Sequence, residues 1–479
     1  MIALRLSEIA RITSGRRRDP LNADDALESD PLVDGLVVTD SREAVSGSLY
    51  IARIGEHLDG HDFVSAARSQ GAVAALTSRP VADLPSVVVP DVQRAFVSLA
   101  HELVERSPEV VVIGVTGSSG KTSTKDLLWS VLRHHGETVA NVGSLNSEVG
   151  VPLTVCRITP STAYLVLEMG ARGIGHIHYL TQIAQPRIGV VLNVGTAHIG
   201  EFGSREAIGR AKAELVQALP ATGFAVLNAD DPIVWGMAGQ AGASVIGVGR
   251  SARASVRAAD ISLDPQSRAS FTLVTEQGAA PVALRLHGEH HVGNALSVAA
   301  VALCVGMPLV EVASALGEAL PRSRWRMEVH ERSDGVTIVN DAYNANPDSM
   351  RAALKALAAM GLGRRTWAVL GEMLELGPES ATEHEGVGRL AVRLGVTRVV
   401  AVGHGAQPIH EGASDEAASG SGAAESAESV LVADTGAAYE LLARHLSPGD
   451  VVLVKSSRDA GLRWLGDRLA QEAAEGVRS

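Results

Sequence analysis

Short apolar runs rich in β-branched residues recur along the chain, each followed by a glycine-containing or polar turn and then by apolar residues at helical spacing. VVVIGVT at 110–116, AYLVLE at 163–168 and RIGVVLNV at 187–194 each lead into such a stretch. Buried strands alternating with amphipathic helices predict a parallel, doubly wound sheet. Residues 245–287 read differently, as a strand-rich insert (SVIGVG, ASFTLVT, VALRLHG), after which the helical stretch GNALSVAAVALCVG closes the unit near 320.

The alternation resumes in the last third with VTIVNDA, WAVLGE, RVVAVG, SVLVA and DVVLVKSS, and with helices expected from Ser349 and Thr382. The first hundred residues hold shorter runs (GLVVT, SLYIA, SVVVP) joined by turn-rich pieces such as HLDGHD. The fold class predicted is α/β in three domains: a small N-terminal α/β domain at 1–107, a central P-loop doubly wound domain at 108–320, and a C-terminal Rossmann-like domain at 321–479. GASDEAASGSGAAESAES at 412–429 is dominated by small and acidic residues and reads as a solvated, mobile loop without a catalytic role.

Composition sharpens this picture at a few points. Hydrophobic residues make up 46% of the 479 but aromatics only 3%, so the cores must rest on Val, Leu, Ile and Ala. Cys156 and Cys304 lie in apolar segments without metal-ligand spacing and read as reduced core thiols. The start, MIALRLSEIARITSGRRR, lacks the basic-then-apolar order of a signal peptide, and no run approaches the ~18 apolar residues that span a bilayer. The expectation is a cytoplasmic protein without a membrane span. A net charge of −12 argues against nucleic acid as a partner, so anionic ligands must be held by local donors.

The strongest chemical signal is GVTGSSGKTST. A loop from Thr116 to Ser123 follows a buried strand and opens a helix, where backbone N–H groups and the helix dipole converge on phosphate. Lys121 is set to contact β- and γ-phosphates and the Thr122 hydroxyl to ligate Mg²⁺. Val115 stands where the general pattern GxxxxGK needs glycine. Glu168 ends a strand beside this loop, where a carboxylate can hold a metal; alone it would read as a solvated acid. His198, in NVGTAHIGEFG, is a ligand candidate or an incidental loop histidine. Lys212 falls within the apolar arc of SREAIGRAKAELVQAL with Ile208, Ala211, Leu215, Val216 and Leu219, so it must either snorkel or do chemistry. In NDAYNANP, Asp341 follows a strand and Asn346 precedes Pro347, which fixes the direction of that loop. Lys455 follows another strand and can point a cation into the same cleft.

TGSSGKTST, its spacing to LEMG and NVGTAHIGEFG, and the helix bearing AKAEL resemble the Mur ligase family of peptidoglycan synthesis. The resemblance runs on through TDSREAVSGSLYIA and GEHLDGHDF, GEHHVGNALSVAAVA, RWRME, NDAYNANP, LGEMLELG and VKSSR. Two departures stand out: Ser456 in VKSSR where the family usually has glycine, and His291 where a His-Asn pair is commoner.

The resemblance implies ATP and Mg²⁺ as cofactors, with UDP-N-acetylmuramoyl-tripeptide and D-alanyl-D-alanine as substrates of a monomeric ligase. It implies ATP contacts from Thr116, Gly117, Ser118, Ser119, Gly120, Lys121, Thr122 and Ser123, and from Asn294, Arg326, Asp341 and Asn344. Thr122 and Glu168 would bind one Mg²⁺; His198 and Lys212, the latter as a carbamate, would serve a second. Ser41 and Arg42 would lie near the uridine diphosphate, and Asn146 and Ser147 near the acyl substrate. Folylpolyglutamate synthase shares the fold and the acyl-phosphate logic but gives no reason for the DSR-bearing first domain. A nucleotide switch or transport ATPase would need neither Lys212 nor YNANP.

Overall fold

The computed structural model describes residues 1–20, 30–197, 199–419 and 427–471. Among the described residues, three large sheets follow one another along the chain, beside a two-stranded antiparallel pair of Leu4–Arg5 and Leu32–Val33. The first has five strands in the order Arg16–Arg18, Ser86–Val88, Ala72–Thr77, Ser48–Ile51 and Val37–Val38, all parallel except the first. GLVVT, SLYIA and SVVVP each supply one of these strands. The helix Val92–Glu105 buries Val92, Ala95, Phe96, Leu99, Ala100 and Leu103, and its Asp91 cap accepts from Arg94 N. It packs on the central unit's short helix Gly150–Val155, so the two units share one apolar core.

The second sheet has nine strands, and its heart is parallel: Phe224–Asn228, Ile188–Val191, Val111–Thr116, Thr162–Glu168 and Glu137–Ala140. Buried β-branched runs suit strands covered on both faces. The expected insert is not a separate body. Ser244–Gly249 joins as a further parallel strand, and Val256–Leu263, Arg268–Thr275 and Gly278–His287 extend the same sheet, the last two antiparallel. Their alternating burial fits a sheet with one solvated face. The helix His291–Cys304 then covers the sheet.

The third sheet has six strands, ordered Glu328–Glu331, Thr337–Asn340, Val451–Lys455, Thr366–Gly371, Arg398–Val402 and Glu428–Val432, with only the first antiparallel. The linker into it is held at both ends. Arg322 lies 3.7 Å over the Trp129 ring and Ser323 N donates to Asp126 (3.1 Å). Beyond these, Arg324 and the Trp325 indole N–H both donate to Asp467, each at 2.9 Å. No helix among the described residues is long and apolar enough to cross a membrane.

The segment 412–429 departs from its expectation. Residues up to Ala418 finish the helix Gln407–Ala418, and the strand Glu428–Val432 begins before the segment ends; 420–426 lie outside the described residues. Its first two small residues serve packing. Gly412 and Ala413 are buried against the helix Ser380–Arg393, where a Cβ on Gly412 would run into the Glu385 backbone and one on Gly388 into the Ile409 carbonyl. A composition rule that reads small residues as solvated fails where two helices meet at backbone contact. Gly412→Ala is therefore expected to destabilise the protein by roughly 1–3 kcal/mol through overpacking. Urea unfolding checks this, and unchanged stability would restore the solvated-loop reading.

Candidate active site

Parallel strands present their carboxyl ends to one crevice, and ligands of such sheets bind there. Val111–Thr116 ends under a loop whose last residue, Gly120, has φ +79° and caps the helix Lys121–Leu132. Left-handed backbone favours glycine, and a Cβ would press on the end of the Asn294 side chain, 2.9 Å from its Oδ1. Asn193, at the end of the neighbouring strand, braces the loop. Its carboxamide accepts from Ser119 N (2.9 Å) and donates to Ser119 O (3.1 Å), while its carbonyl accepts from Ser118 N (3.1 Å).

Residues Ser118 to Ser123 line one wall of a cavity of about 870 Å³. Thr116 and Gly117 sit beneath it, with Thr116 Oγ1 donating to Met169 O (3.0 Å). Lys121 curls back so that Nζ donates to Gly117 O (2.7 Å). Desolvation holds its ammonium below the usual lysine range, opposed by the Glu168 charge.

Glu168 is 1% exposed. Its Oε2 accepts from Thr122 Oγ1 (2.8 Å) and its Oε1 from Asn146 Nδ2 (2.7 Å), and Ser144 Oγ lies 3.0 Å from Thr122 Oγ1. Ser144, Asn146 and Ser147 line the cavity beside it. Thr122 with Glu168 forms an oxygen pair suited to a hard divalent cation.

Lys212 enters from the helix Arg205–Gln217, whose Ser204 cap accepts from Ala207 N. Ile208, Ala211, Leu215 and Val216 are fully buried on the expected arc. The Lys212 side chain reaches the cavity rather than snorkelling to the surface, and it has no hydrogen-bond or ion-pair partner among the described residues. Desolvation, with the Lys121 charge added, pushes its pKa down to about 7. His198 lies outside the described residues.

The opposite wall belongs to the third sheet. Asp341 Oδ2 accepts from Lys455 Nζ (2.6 Å), which also donates to the Asn344 carbonyl (3.1 Å). Asp341 Oδ1 takes Met327 N (3.0 Å) and Glu328 takes Trp325 N (2.9 Å). These two bonds hold Trp325 and Met327 at φ +59° and +50°, a costly backbone for side-chain-bearing residues, and so aim Arg326 between them. Arg326 donates to Ser144 Oγ (3.0 Å), stacks over Tyr343 (4.4 Å), and leaves Nε buried without a partner.

Asn346 Nδ2 reaches Ser118 O (3.4 Å) and Asp348 accepts from Thr196 N (3.3 Å), bringing the two walls together. Asn294, on the helix His291–Cys304, lines the cavity with His290 and His291. The two histidine rings lie 4.2 Å apart, tilted by 39°, and desolvation keeps His291 neutral, well below its usual pKa. Ser456 does not line the cavity. It is fully buried where Gly371 leaves room, for a Cβ on Gly371 would lie 2.8 Å from the Ser456 Cβ. Close backbone approach at that loop is thus undisturbed.

Ser41 and Arg42 lie away from this cavity on a turn of the first unit, where Arg42 pairs with Asp40 (2.6 Å). Sequence reasoning assigned nothing to Asn193, Ser144, Arg172 or His176, though all line the cavity. Asn193 was legible only as the one polar residue interrupting an apolar run.

The Lys212 environment has a measurable consequence. In the unfolded chain the amine titrates near 10.5, and in the folded chain near 7. Between these values the unfolded state binds the extra proton, so the burial penalty is full below about 7 and is relieved as pH rises toward 10.5. Relative to Lys212→Met, the parent should gain on the order of a few kcal/mol across that window in degassed buffer. Parallel urea-stability curves for the two proteins would reject a neutral buried amine.

Residues 36–112 match the Mur ligase family catalytic domain, 115–302 the Mur ligase middle domain and 325–458 the Mur ligase glutamate ligase domain. The chain is 47% identical to the UDP-N-acetylmuramoyl-tripeptide–D-alanyl-D-alanine ligase of Mycobacterium tuberculosis H37Rv, over 98% of both proteins. It is 37% identical to the Escherichia coli K12 ligase of the same name, over 84% of this chain and 86% of that one. A crystal structure of MurF from Acinetobacter baumannii superposes with a TM-score of 0.85 at 31% identity, over 98% of this chain and 99% of that one. MurF ligase from Thermotoga maritima in complex with ADP superposes with a TM-score of 0.78 at 27% identity, over 93% and 99%. With all three domain models matched in order and at these identities, the chain belongs to the Mur ligase family.

Proposed function

We propose that the chain joins D-alanyl-D-alanine to UDP-N-acetylmuramoyl-tripeptide at the expense of ATP, giving UDP-N-acetylmuramoyl-pentapeptide, ADP and phosphate. The observation that carries this reading is the Glu168 carboxylate, bonded at once to the phosphate-loop Thr122 and to Asn146 on the proposed acyl-substrate loop. A nucleotide site and a second substrate's site thereby share one group. The full-length likeness to ligases of that name supports the choice of substrates.

A carboxylate is a poor electrophile. The tripeptide's terminal carboxylate attacks the γ-phosphorus, ADP leaves, and the acyl phosphate then takes the dipeptide amine, releasing phosphate and a proton. The first step sets two anions face to face. Lys121, Arg326 and the loop amides from Ser118 to Ser123 supply fixed positive charge there, worth most in a site closed to water. The orphan Nε of Arg326 is a donor in want of an anion. Asn294, Asp341 and Asn344 hold the nucleoside from the two flanking walls, with Lys455 fixing Asp341. Ser41 and Arg42 bind the uridine diphosphate, and Asn146 and Ser147 the acyl arm.

Thr122 and Glu168 would hold one Mg²⁺, and Lys212 with His198 would serve a second, and the ions would screen the carboxylate from the phosphate. Lys212 takes part as a carbamate. Its neutral amine attacks CO₂, a proton leaves, and the product is a two-oxygen anion suited to a hard cation. The three domains, 1–107, 108–320 and 321–479, divide the uridine nucleotide, ATP and the incoming dipeptide among them. The reading carries a monomeric enzyme working in the cytoplasm, where ATP and nucleotide precursors are at hand.

Phosphate release should require both the tripeptide nucleotide and D-alanyl-D-alanine, with the pentapeptide product seen by mass; release with ATP alone would favour an NTPase instead. Lys121→Ala should lower kcat by roughly 10²–10⁴-fold while the protein remains folded. Lys212→Ala should abolish ligation, and added acetate should restore part of it. Full activity of that variant without any carboxylate would remove the carbamate.

A further inference from the structure

A third buried lysine lies one layer behind the cavity, in the helix that follows the phosphate loop. Lys125 is 1% exposed and does not line the cavity, so no ligand can explain it. Its Nζ donates to Asp126 Oδ1 (2.5 Å) and to the backbone carbonyl of Asn141 (2.9 Å). Asn141 is itself 1% exposed and fully engaged. Its Oδ1 accepts from the backbone N–H of Glu168 (2.6 Å), and its Nδ2 donates to Leu145 O (2.5 Å) and Thr154 Oγ1 (3.1 Å). Asn141 therefore joins the start of the 141–147 loop, the strand end that carries Glu168 and the helix behind them.

We infer that Lys125 is a positioning residue for ligation. Through the Asn141 carbonyl it sets the height of the 141–147 loop, and so the approach of Ser144 and Asn146 to Glu168. A buried lysine needs a counter-charge, and Asp126 supplies it from the adjacent position. Asp126 then spends its other oxygen on Ser323 N, tying the same ion pair to the linker that leads to Arg326. The group that receives the linker and the group that holds the acyl-substrate loop are thus one pair on the phosphate-loop helix. This inference rests on the proposed ligase reading.

Two variants test it in the full-length protein, with steady-state kinetics for ATP and for the tripeptide nucleotide. Lys125→Arg keeps the charge and the ion pair but carries a longer, planar head that displaces the Asn141 carbonyl. A merely stabilising pair would tolerate it, leaving kcat within about twofold of the parent. A positioning role predicts kcat down by roughly tenfold or more, KM for the tripeptide nucleotide raised, and KM for ATP within about threefold. Lys125→Met with Asp126→Asn removes both charges together, so no unpaired ion is left behind, and the Asn still accepts from Ser323 N. Its melting temperature should stay near the parent's while kcat falls by the same order. Parent-like kcat in Lys125→Arg overturns the inference, and so does parent-like kcat in a folded double variant. If the parent itself fails to ligate, the functional reading falls instead, so the two failures are distinct.

Discussion

Glu168 receives the Thr122 hydroxyl on one carboxylate oxygen and the Asn146 amide on the other, at the rim of a parallel sheet. The surrounding architecture is arranged to make that meeting possible. The strand Thr162–Glu168 must lie beside Val111–Thr116, so that carboxylate and phosphate loop emerge together. The loop from Asn141 must fold back over the same edge, which Asn141 ensures by accepting from the Glu168 backbone. A carboxylate so deeply buried is tolerable only because both oxygens and the backbone N–H behind it are bonded.

The cavity's second constraint is the number of cations kept from water near it. Lys121, Lys125, Lys212 and Lys455 each meet burial differently. Lys455 and Lys125 have carboxylate partners, Lys121 has a backbone carbonyl and the nearby Glu168 charge, and Lys212 has neither among the described residues. Positive charge concentrated at a site meant for a triphosphate is an electrostatic investment recovered on binding, while the overall charge of −12 leaves the rest of the surface repulsive to polyanions. Among these four, Lys212 is the amine whose proton desolvation and the Lys121 charge hold weakly.

Two walls from different sheets meet over the phosphate loop through polar contacts that include Asn346 on Ser118, Asp348 on Thr196, Arg326 on Ser144 and the Gly200 backbone N–H on the Glu375 carbonyl (3.1 Å). Interfaces of this kind are made and broken more readily than apolar cores. The linker is by contrast held firmly, by Trp129 and Asp126 on one side and Asp467 on the other.

Much of this was legible in the chain itself. Apolar runs of strand length alternating with helical periods fix the class of each unit, because burial on both faces leaves few other solutions. The phosphate loop, Glu168 and Lys212 could be singled out as candidates because glycine, carboxylate and lysine at those points of the pattern each offered a chemical reading beside a structural one. Periodicity does not say which strands are neighbours, so the extension of the central sheet by residues 256–287 and the bracing role of Asn193 depended on tertiary pairing. The segment 412–418 misled for the same reason: small residues look solvated until a second helix packs on them at backbone distance. Lys125 and Asn141, ordinary within helix and strand, gain meaning only from what lies across from them. Local pattern determines which elements form, since it is written in spacing along one chain. The site is decided by contacts between residues far apart in that chain, and these only packing brings together.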